Sequence, residues 1–368
     1  MNTFSFLIHP LELKRDAARY KPILGIFPEP IIEQIALRMK TKTISSISGI
    51  TSKTGAQCEG FFVGCPLGTR QLLHLPHEMI YKRLVEAGQY SADLGAKIMG
   101  LGAFTSVAGD AGVTIAKRLE GIIGVTSGNS YTVYSAIEAL LLGAQKMEVE
   151  PKTATVAIVG ATGSIGAVCA KILAPQVGEI HLLGRDMSKL EKLKAEVEAQ
   201  TDCVAQIHAS TDIRAALPHA DLVLAVSSAG KELIFPEDLK VGAVICDVAR
   251  PRDVSKSVTE KRDDVLVIEG GVITVPGADV QFNFEFGFPR STAFACMSET
   301  MLMALEGTNQ NYTLGRDLSV EQVKHIGEIA KKHGFELAGF RSFEIAVTDE
   351  HIEKVRHNAR RRRTLVNA

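Results

Sequence analysis

Two stretches of the chain carry chemistry by residue type and spacing. The first is Thr155-Val-Ala-Ile-Val-Gly160-Ala-Thr-Gly163-Ser-Ile-Gly166, a β-branched apolar run that enters three glycines and continues as Ala167-Val-Cys-Ala-Lys-Ile-Leu173 with helical spacing. A strand, a glycine turn and a helix in that order make a phosphate cradle. Gly160 permits the tight turn, Gly163 lets the backbone approach a pyrophosphate, and Gly166 lets the helix pack on the strand. The amides around Thr162, Ser164 and Ile165, with the positive helix end, then hold the phosphates of a dinucleotide. The glycine spacing alone is weak evidence in a chain with 32 glycines, and the flanking strand and helix strengthen it. The second stretch is Pro289-Arg-Ser-Thr-Ala-Phe-Ala-Cys296-Met-Ser-Glu299. Proline cannot sit inside a helix, Ser291 and Thr292 are N-cap types and Gly307 is a stop, so a helix is predicted over 292–306. Cys296 then falls near its first turn, where the helix end and Arg290 favour a thiolate, a candidate nucleophile. The alternative is a packed apolar face of Phe294, Cys296, Met301 and Leu305. Glu299, three residues on, faces the same site, and as an anion it would oppose thiolate formation unless paired.

Strands predicted at 155–160, 179–183, 221–226, 243–248 and 265–269, with a helix at Ser188–Ala199, alternate as a parallel sheet covered on both faces requires. The second strand runs out into Gly184-Arg185-Asp186. Arg185 fits a 2′-phosphate and favours NADP(H) over NAD(H), although Asp186 could serve a ribose. Ser227 to Gly230 end the next strand where the crevice should lie, and Gly270-Gly271 would leave space for a nicotinamide ring. Before residue 126 the reading is mixed α/β, with strands at 43–50 and 57–63 around the turn Lys53-Thr-Gly55 and a helix over 77–95. Asn129, Ser130 and Thr132 join the two regions. They are read either as donors to a bound carbonyl or nicotinamide amide, or as the cap of the helix that follows. The fold class is therefore α/β: a mixed N-terminal substrate domain (1–125), a central Rossmann parallel-sheet domain (126–290) and a C-terminal helical segment (291–368).

Composition narrows the function classes. The 368 residues exceed one typical domain, and 46% hydrophobic with 23% charged residues is ordinary for a globular protein. A net charge of −1 gives no global sign of nucleic acid, and no apolar run reaches the roughly 18 residues that span a bilayer. The N-terminus lacks the pattern of a secretory signal, so a cytoplasmic location is expected. Six scattered cysteines without C-x-x-C or Cys/His clustering argue against a zinc site or a disulfide framework. Cys169 and Cys246 read as core residues. His333 and His9 are weaker acid or orienting candidates, and the arginines at 360–363 read as a solvated, mobile end, with an acidic carrier protein or an anionic membrane surface as the other reading.

Leu101-Gly-Ala-Phe-Thr-Ser106, Thr126-Ser-Gly-Asn129-Ser-Tyr-Thr132, Val159-Gly-Ala-Thr-Gly-Ser-Ile-Gly166, Glu269-Gly-Gly-Val272, Phe294-Ala-Cys296-Met-Ser-Glu299 and His333-Gly-Phe335 occur in an order that resembles the long-chain fatty acyl-ACP reductases, aldehyde-forming enzymes of cyanobacteria. The likeness covers roughly residues 43–340. It implies reduction of an acyl thioester, on acyl carrier protein or coenzyme A, to a fatty aldehyde with NADPH, with the cysteine matching Cys296 as nucleophile and an aldehyde-consuming enzyme downstream. It also implies a magnesium requirement, for which the sequence offers no carboxylate cluster. Cys246-Asp-Val-Ala-Arg-Pro251-Arg-Asp253 looks also like the NADP domain of glutamyl-tRNA reductase and shikimate dehydrogenase relatives. On that reading Cys65 would be the attacking thiol, but the basic helix expected of a tRNA partner is not visible. The non-enzyme alternative is a regulator that senses NADP(H) without chemistry.

Overall fold

The computed structural model describes residues 2–285, 287 and 289–366, without the side chains of Arg19, Tyr20 and Val366. The chain divides into two compact units: Met1–Tyr131 with Ile273–Asp317 and Glu328–Glu336, and Thr132–Val272 with Leu318–Gly327 and Leu337–Ala368.

In the first unit β1 (Asn2–Ile8), β2 (Lys42–Thr51), β3 (Gln57–Gly64), β4 (Ile98–Leu101) and β5 (Gly124–Thr126) form a sheet of order β2-β3-β1-β4-β5. Neighbours are parallel except the hairpin β2–β3. Its core gathers Leu7, Val63, Met99, Leu101 and Val125 with Ile80, Leu84 and Ala87 of the helix His77–Asp93. A second helix, Ala295–Leu305, packs on β1, β3 and β4. Gly100 on β4 permits this, because a methyl there would lie 2.1 Å from Thr300 Oγ1. Ten of that helix's eleven residues are buried; Cys296 is the exception. Each fully buried Leu or Met adds roughly 1.5–3 kcal/mol, so the helix is anchored by packing.

The helix begins later than predicted. Ser291 takes a φ of 60° and Thr292–Phe294 is extended, with Thr292 Oγ1 donating to Pro289 O at 2.7 Å instead of capping. Phe294 is the N-cap. Residues 291–317, expected in a separate C-terminal segment, fall within the first unit, and the expected boundaries at 125/126 and 290/291 give way to those above.

The second unit is built on six parallel strands: β6 (Thr155–Val159), β7 (Glu179–Leu183), β8 (Gln206–Ser210), β9 (Leu222–Ala225), β10 (Val244–Asp247) and β11 (Leu266–Glu269). Their order, β11-β10-β9-β6-β7-β8, reverses direction at β6/β9, the Rossmann arrangement with its ligand crevice outside the carboxyl ends at that switch point. Both faces are covered, by one core holding Ile158, Cys169, Leu173, Leu182 and Cys246 and another holding Val159, Leu183, Val223 and Ile245. The strand β8 has no counterpart among the predicted strands. It is an edge strand with the pattern Gln-Ile-His-Ala-Ser, of which only Ile207 is buried.

The arginine-rich end is not a solvated tail. It belongs to the helix Asp349–Val366, which buries Ile352, Val355 and Ala359 in the second unit's core. Arg362 donates to Asp264 at 2.9 Å and Asp263 at 2.6 Å, Arg363 to Val241 O at 3.1 Å, and Arg360 to Glu148. Apolar contacts at 352, 355 and 359 fix the helix face and bring Arg360 and Arg362 onto acids.

Candidate functional site

Contacts require glycine at two of the cradle's three positions, Gly160 and Gly166, and crowd the third, Gly163. Gly160 has a φ of 88°, and a methyl there would lie 2.7 Å from the Ser227 Cα; at Gly166 it would lie 2.5 Å from Gly160 O, and at Gly163 3.3 Å from that oxygen. Gly160 N and Ala161 N donate to Leu183 O, which ties the turn to β7. The helix Ser164–Leu173 starts at the N-cap Gly163, so the amides of Ser164, Ile165 and Gly166 lie in its first turn and have no acceptor within the helix. Thr162 sits beside the end of β7, its Oγ1 3.6 Å from a methyl built on Gly184. Arg185 follows, exposed and without a side-chain hydrogen bond or ion pair among the described residues. Asp186 is committed: it caps the helix Met187–Glu198 by accepting from Lys189 N at 3.2 Å. The cradle, the helix end and a guanidinium at the second strand fit a dinucleotide carrying an extra phosphate.

Other residues predicted for the cofactor have structural duties. Ser227 Oγ donates to Asp253 at 2.6 Å and its amide to the same carboxyl at 2.9 Å, so its hydroxyl is occupied and only its backbone can line a crevice. Gly270 lacks a side chain for packing: a methyl would lie 2.7 Å from Cys246 Sγ. Gly271 has a φ of 80°. The ends of β10 and β11 hold two buried acids. Asp247 accepts from Ala249 N and Val254 N, both at 3.0 Å, and burial pushes its carboxyl up to about 7. Glu269 accepts from Arg252 Nε at 2.8 Å and Nη2 at 2.6 Å, with Arg250 Nη2 at 3.5 Å.

In the first unit, Cys296 is the second residue of its helix and half-buried. Strand β5 ends at Thr126, and the turn Ser127-Gly128 leads into the helix Asn129–Lys146. Gly128, with a φ of 77°, lies directly against the cysteine: a methyl there would be 2.4 Å from both Cys296 Cα and Cβ. Glu299 is fully buried and binds this turn. It accepts from Ser130 Oγ at 3.0 Å, Tyr131 N at 2.9 Å, Thr313 Oγ1 at 2.7 Å and Thr126 Oγ1. Burial raises its carboxyl, opposed by those donors. Asn129 is 9% exposed, with no side-chain hydrogen bond among the described residues, whereas Ser130 is occupied and Thr132 belongs to the second unit. Ser127 Oγ is buried without a partner. Thr126, Gly128 and Thr313 carry no catalytic signature in sequence, and only the fold brings them to the cysteine helix.

Residues 142–269 match the family model of shikimate/quinate 5-dehydrogenase. The chain is 33% identical over 341 residues, 90% of its length, to a Serratia protein named aminotransferase PigE, and spans 39% of that relative's length. It is 29% identical over 301 residues, 78% of the chain and 85% of the relative, to the long-chain acyl-[acyl-carrier-protein] reductase of Synechococcus elongatus. Among solved structures, the glutamyl-tRNA reductase of Methanopyrus kandleri is a loose likeness at 17% identity, covering 77% of this chain and 55% of that one with a TM-score of 0.31. The sequence relatives and the cradle support an NAD(P)-dependent oxidoreductase.

The remaining candidates are engaged elsewhere. Cys65 is 2% exposed in the first unit's core, and burial pushes its thiol up to about 11, which disfavours the thiolate that an attack needs. Cys169 and Cys246 are fully buried and raised further by burial. His333 is buried between Ser52 Oγ at 2.7 Å and Glu306 Oε1 at 2.5 Å, a structural bridge. His9 accepts from Phe104 N at Nε2 and faces Pro10 O through Nδ1, as the neutral ring does, and burial lowers it to about 4. Among the described residues no group of three or more His, Cys, Asp or Glu could hold a metal ion, so they do not fit a magnesium ion. No helix among them is long and apolar enough to cross a membrane.

Proposed function

We propose that the chain reduces an acyl thioester, carried on acyl carrier protein or coenzyme A, to a fatty aldehyde with NADPH, by way of an acyl group held on Cys296. The observation that carries this reading is a helix buried at every position but its cysteine, with that cysteine in the first turn and pressed against Gly128. The first-turn amides and helix dipole favour a thiolate at that place. The likeness to the Synechococcus reductase supports the substrate class.

Cys296 Sγ attacks the acyl carbonyl carbon, the bond from that carbon to the carrier sulfur breaks, and the carrier thiolate takes a proton as it leaves. NADPH, when bound, supplies the hydride. The thioester carbon accepts it, the bond to Sγ breaks, the aldehyde departs and Cys296 is again a thiolate. Asn129, the residue after Gly128, is the donor assigned to the carbonyl oxygen as negative charge develops there. Arg185 holds the 2′-phosphate, while Asp186, spent as a helix cap, is a poor partner for a ribose. The match of residues 142–269 covers the dinucleotide-binding segment and leaves the substrate to the cysteine site. The aminotransferase name of the Serratia relative favours amination as the next reaction of the aldehyde.

Intact mass spectrometry after mixing the protein with palmitoyl-CoA or acyl-ACP, without NADPH, tests the proposal. One acyl adduct is expected on wild type and none on Cys296→Ala; an adduct that persists in the variant and maps to Cys65 overturns it. For the cofactor, Arg185→Ala should raise the KM for NADPH tenfold or more, since a charge-assisted phosphate contact is worth about 1.5–3 kcal/mol, and leave that for NADH unmoved. Equal effects on both would reject the 2′-phosphate role.

A further inference from the structure

The cluster around Glu299 can be read by counting protons. Five short polar contacts join its members: Thr126 Oγ1 and Thr313 Oγ1 to Oε1, Ser130 Oγ and Tyr131 N to Oε2, and Ser130 Oγ to Thr313 Oγ1. The three hydroxyls and one amide supply four protons. With Glu299 ionised, both Ser130 and Thr313 would spend their hydrogens on the carboxylate, and their two oxygens would face each other with none between them. A fifth proton, on Glu299 Oε2, closes a ring: Oε2–H donates to Ser130 Oγ, Ser130 to Thr313 Oγ1, and Thr313 to Oε1. Thr126 Oγ1 meanwhile donates to Oε1 and accepts from Gly128 N at 3.4 Å and Thr313 N at 3.2 Å, so the ring also fixes the turn against the cysteine.

We propose that Glu299 is a neutral carboxylic acid in the working protein and a positioning residue, which fastens the Thr126–Tyr131 turn to the cysteine helix without setting a negative charge beside the thiol. This deepens the reading of Cys296 as nucleophile and rests on it for its purpose. Of the other titratable groups, Cys296 lies one turn back on the same helix, and Tyr312 lies near Glu299 with its phenol raised chiefly by burial. No cation bonds to Glu299 among the described residues. The N-terminus of the helix Asn129–Lys146, through Tyr131 N, works for an anion by up to about 2 kcal/mol. Against it stand full burial and the unfilled contact, and desolvating a lone carboxylate costs several kcal/mol.

The test is the pH profile of Cys296 alkylation by iodoacetamide, followed by peptide mapping, in wild type and Glu299→Gln. A neutral acid exchanged for a neutral amide leaves the midpoint where it was. An anion removed would lower the midpoint, since a thiolate is easier to form without a like charge nearby, and that result overturns the proposal. If Glu299→Gln does not fold, wild type labelled with 13C at its glutamate carboxyls decides: one resonance should keep the protonated shift at pH 7, and its absence refutes the inference. Failure of the acyl-adduct experiment would remove the catalytic purpose while leaving this protonation result standing.

Discussion

Glu299 and Glu269 are both buried, one in each unit, and the protein solvates them in opposite ways. Glu269, at the end of β11, is held by the guanidiniums of Arg252 and Arg250. Glu299 has three hydroxyls and an amide. Asp247 lies between these extremes, with two backbone amides and the field of Arg250 against its burial. A buried carboxyl between guanidiniums locks loops by ion pairs. One ringed by hydroxyls can keep its proton and lock them by geometry alone, which suits a site where another group must carry the negative charge.

The largest effect should come from breaking the charged case. Glu269→Ala removes the carboxylate that joins Arg252 to Arg250 and leaves Arg252 with Glu344 alone, so it should cost about 1.5–3 kcal/mol in urea denaturation, as for a hydrogen bond to a charged group; a loss below 1 kcal/mol would mean that Glu344 and water replace it. Asp247 comes next. Its folded value, about 7, lies above the ordinary carboxylate range, so the folded state holds the proton more tightly than the unfolded chain. Its contribution is full below the unfolded value near 4 and is lost as pH rises to about 7, with a slope of at most about 1.4 kcal/mol per pH unit. Wild type should therefore lose stability relative to Asp247→Asn across that window; parallel curves would contradict the assignment. The smallest effect is Glu299→Gln, which loses mainly the Tyr131 bond, about 1 kcal/mol at pH 6. Because the raised Glu299 carboxyl also loses its contribution as pH rises through its folded value, the gap between the two proteins should narrow toward alkaline pH in thermal melts.

The Rossmann unit was legible because its signals are local. β-branched runs, glycine turns and amphipathic helices located five of six strands within a residue or two, and only β8, polar at an edge, gave no signal. The site was legible in part. Cys296, Asn129 and Glu299 were singled out, but Thr126 and Gly128 reach the cysteine helix from roughly 170 residues back and Thr313 from 14 residues beyond Glu299, distances at which periodicity carries nothing. The arginine run misled because charge density alone does not tell a solvated end from a helix whose other face is apolar.

The chain passes between the two units at 131/132, 272/273, 317/318, 327/328 and 336/337, so neither is a contiguous piece of polypeptide. During synthesis the unit that holds Cys296 cannot close until residue 336 has left the ribosome. The Cys296 helix is thus assembled among the last parts of the protein, after the nascent strands β6 to β11 have emerged in sequence.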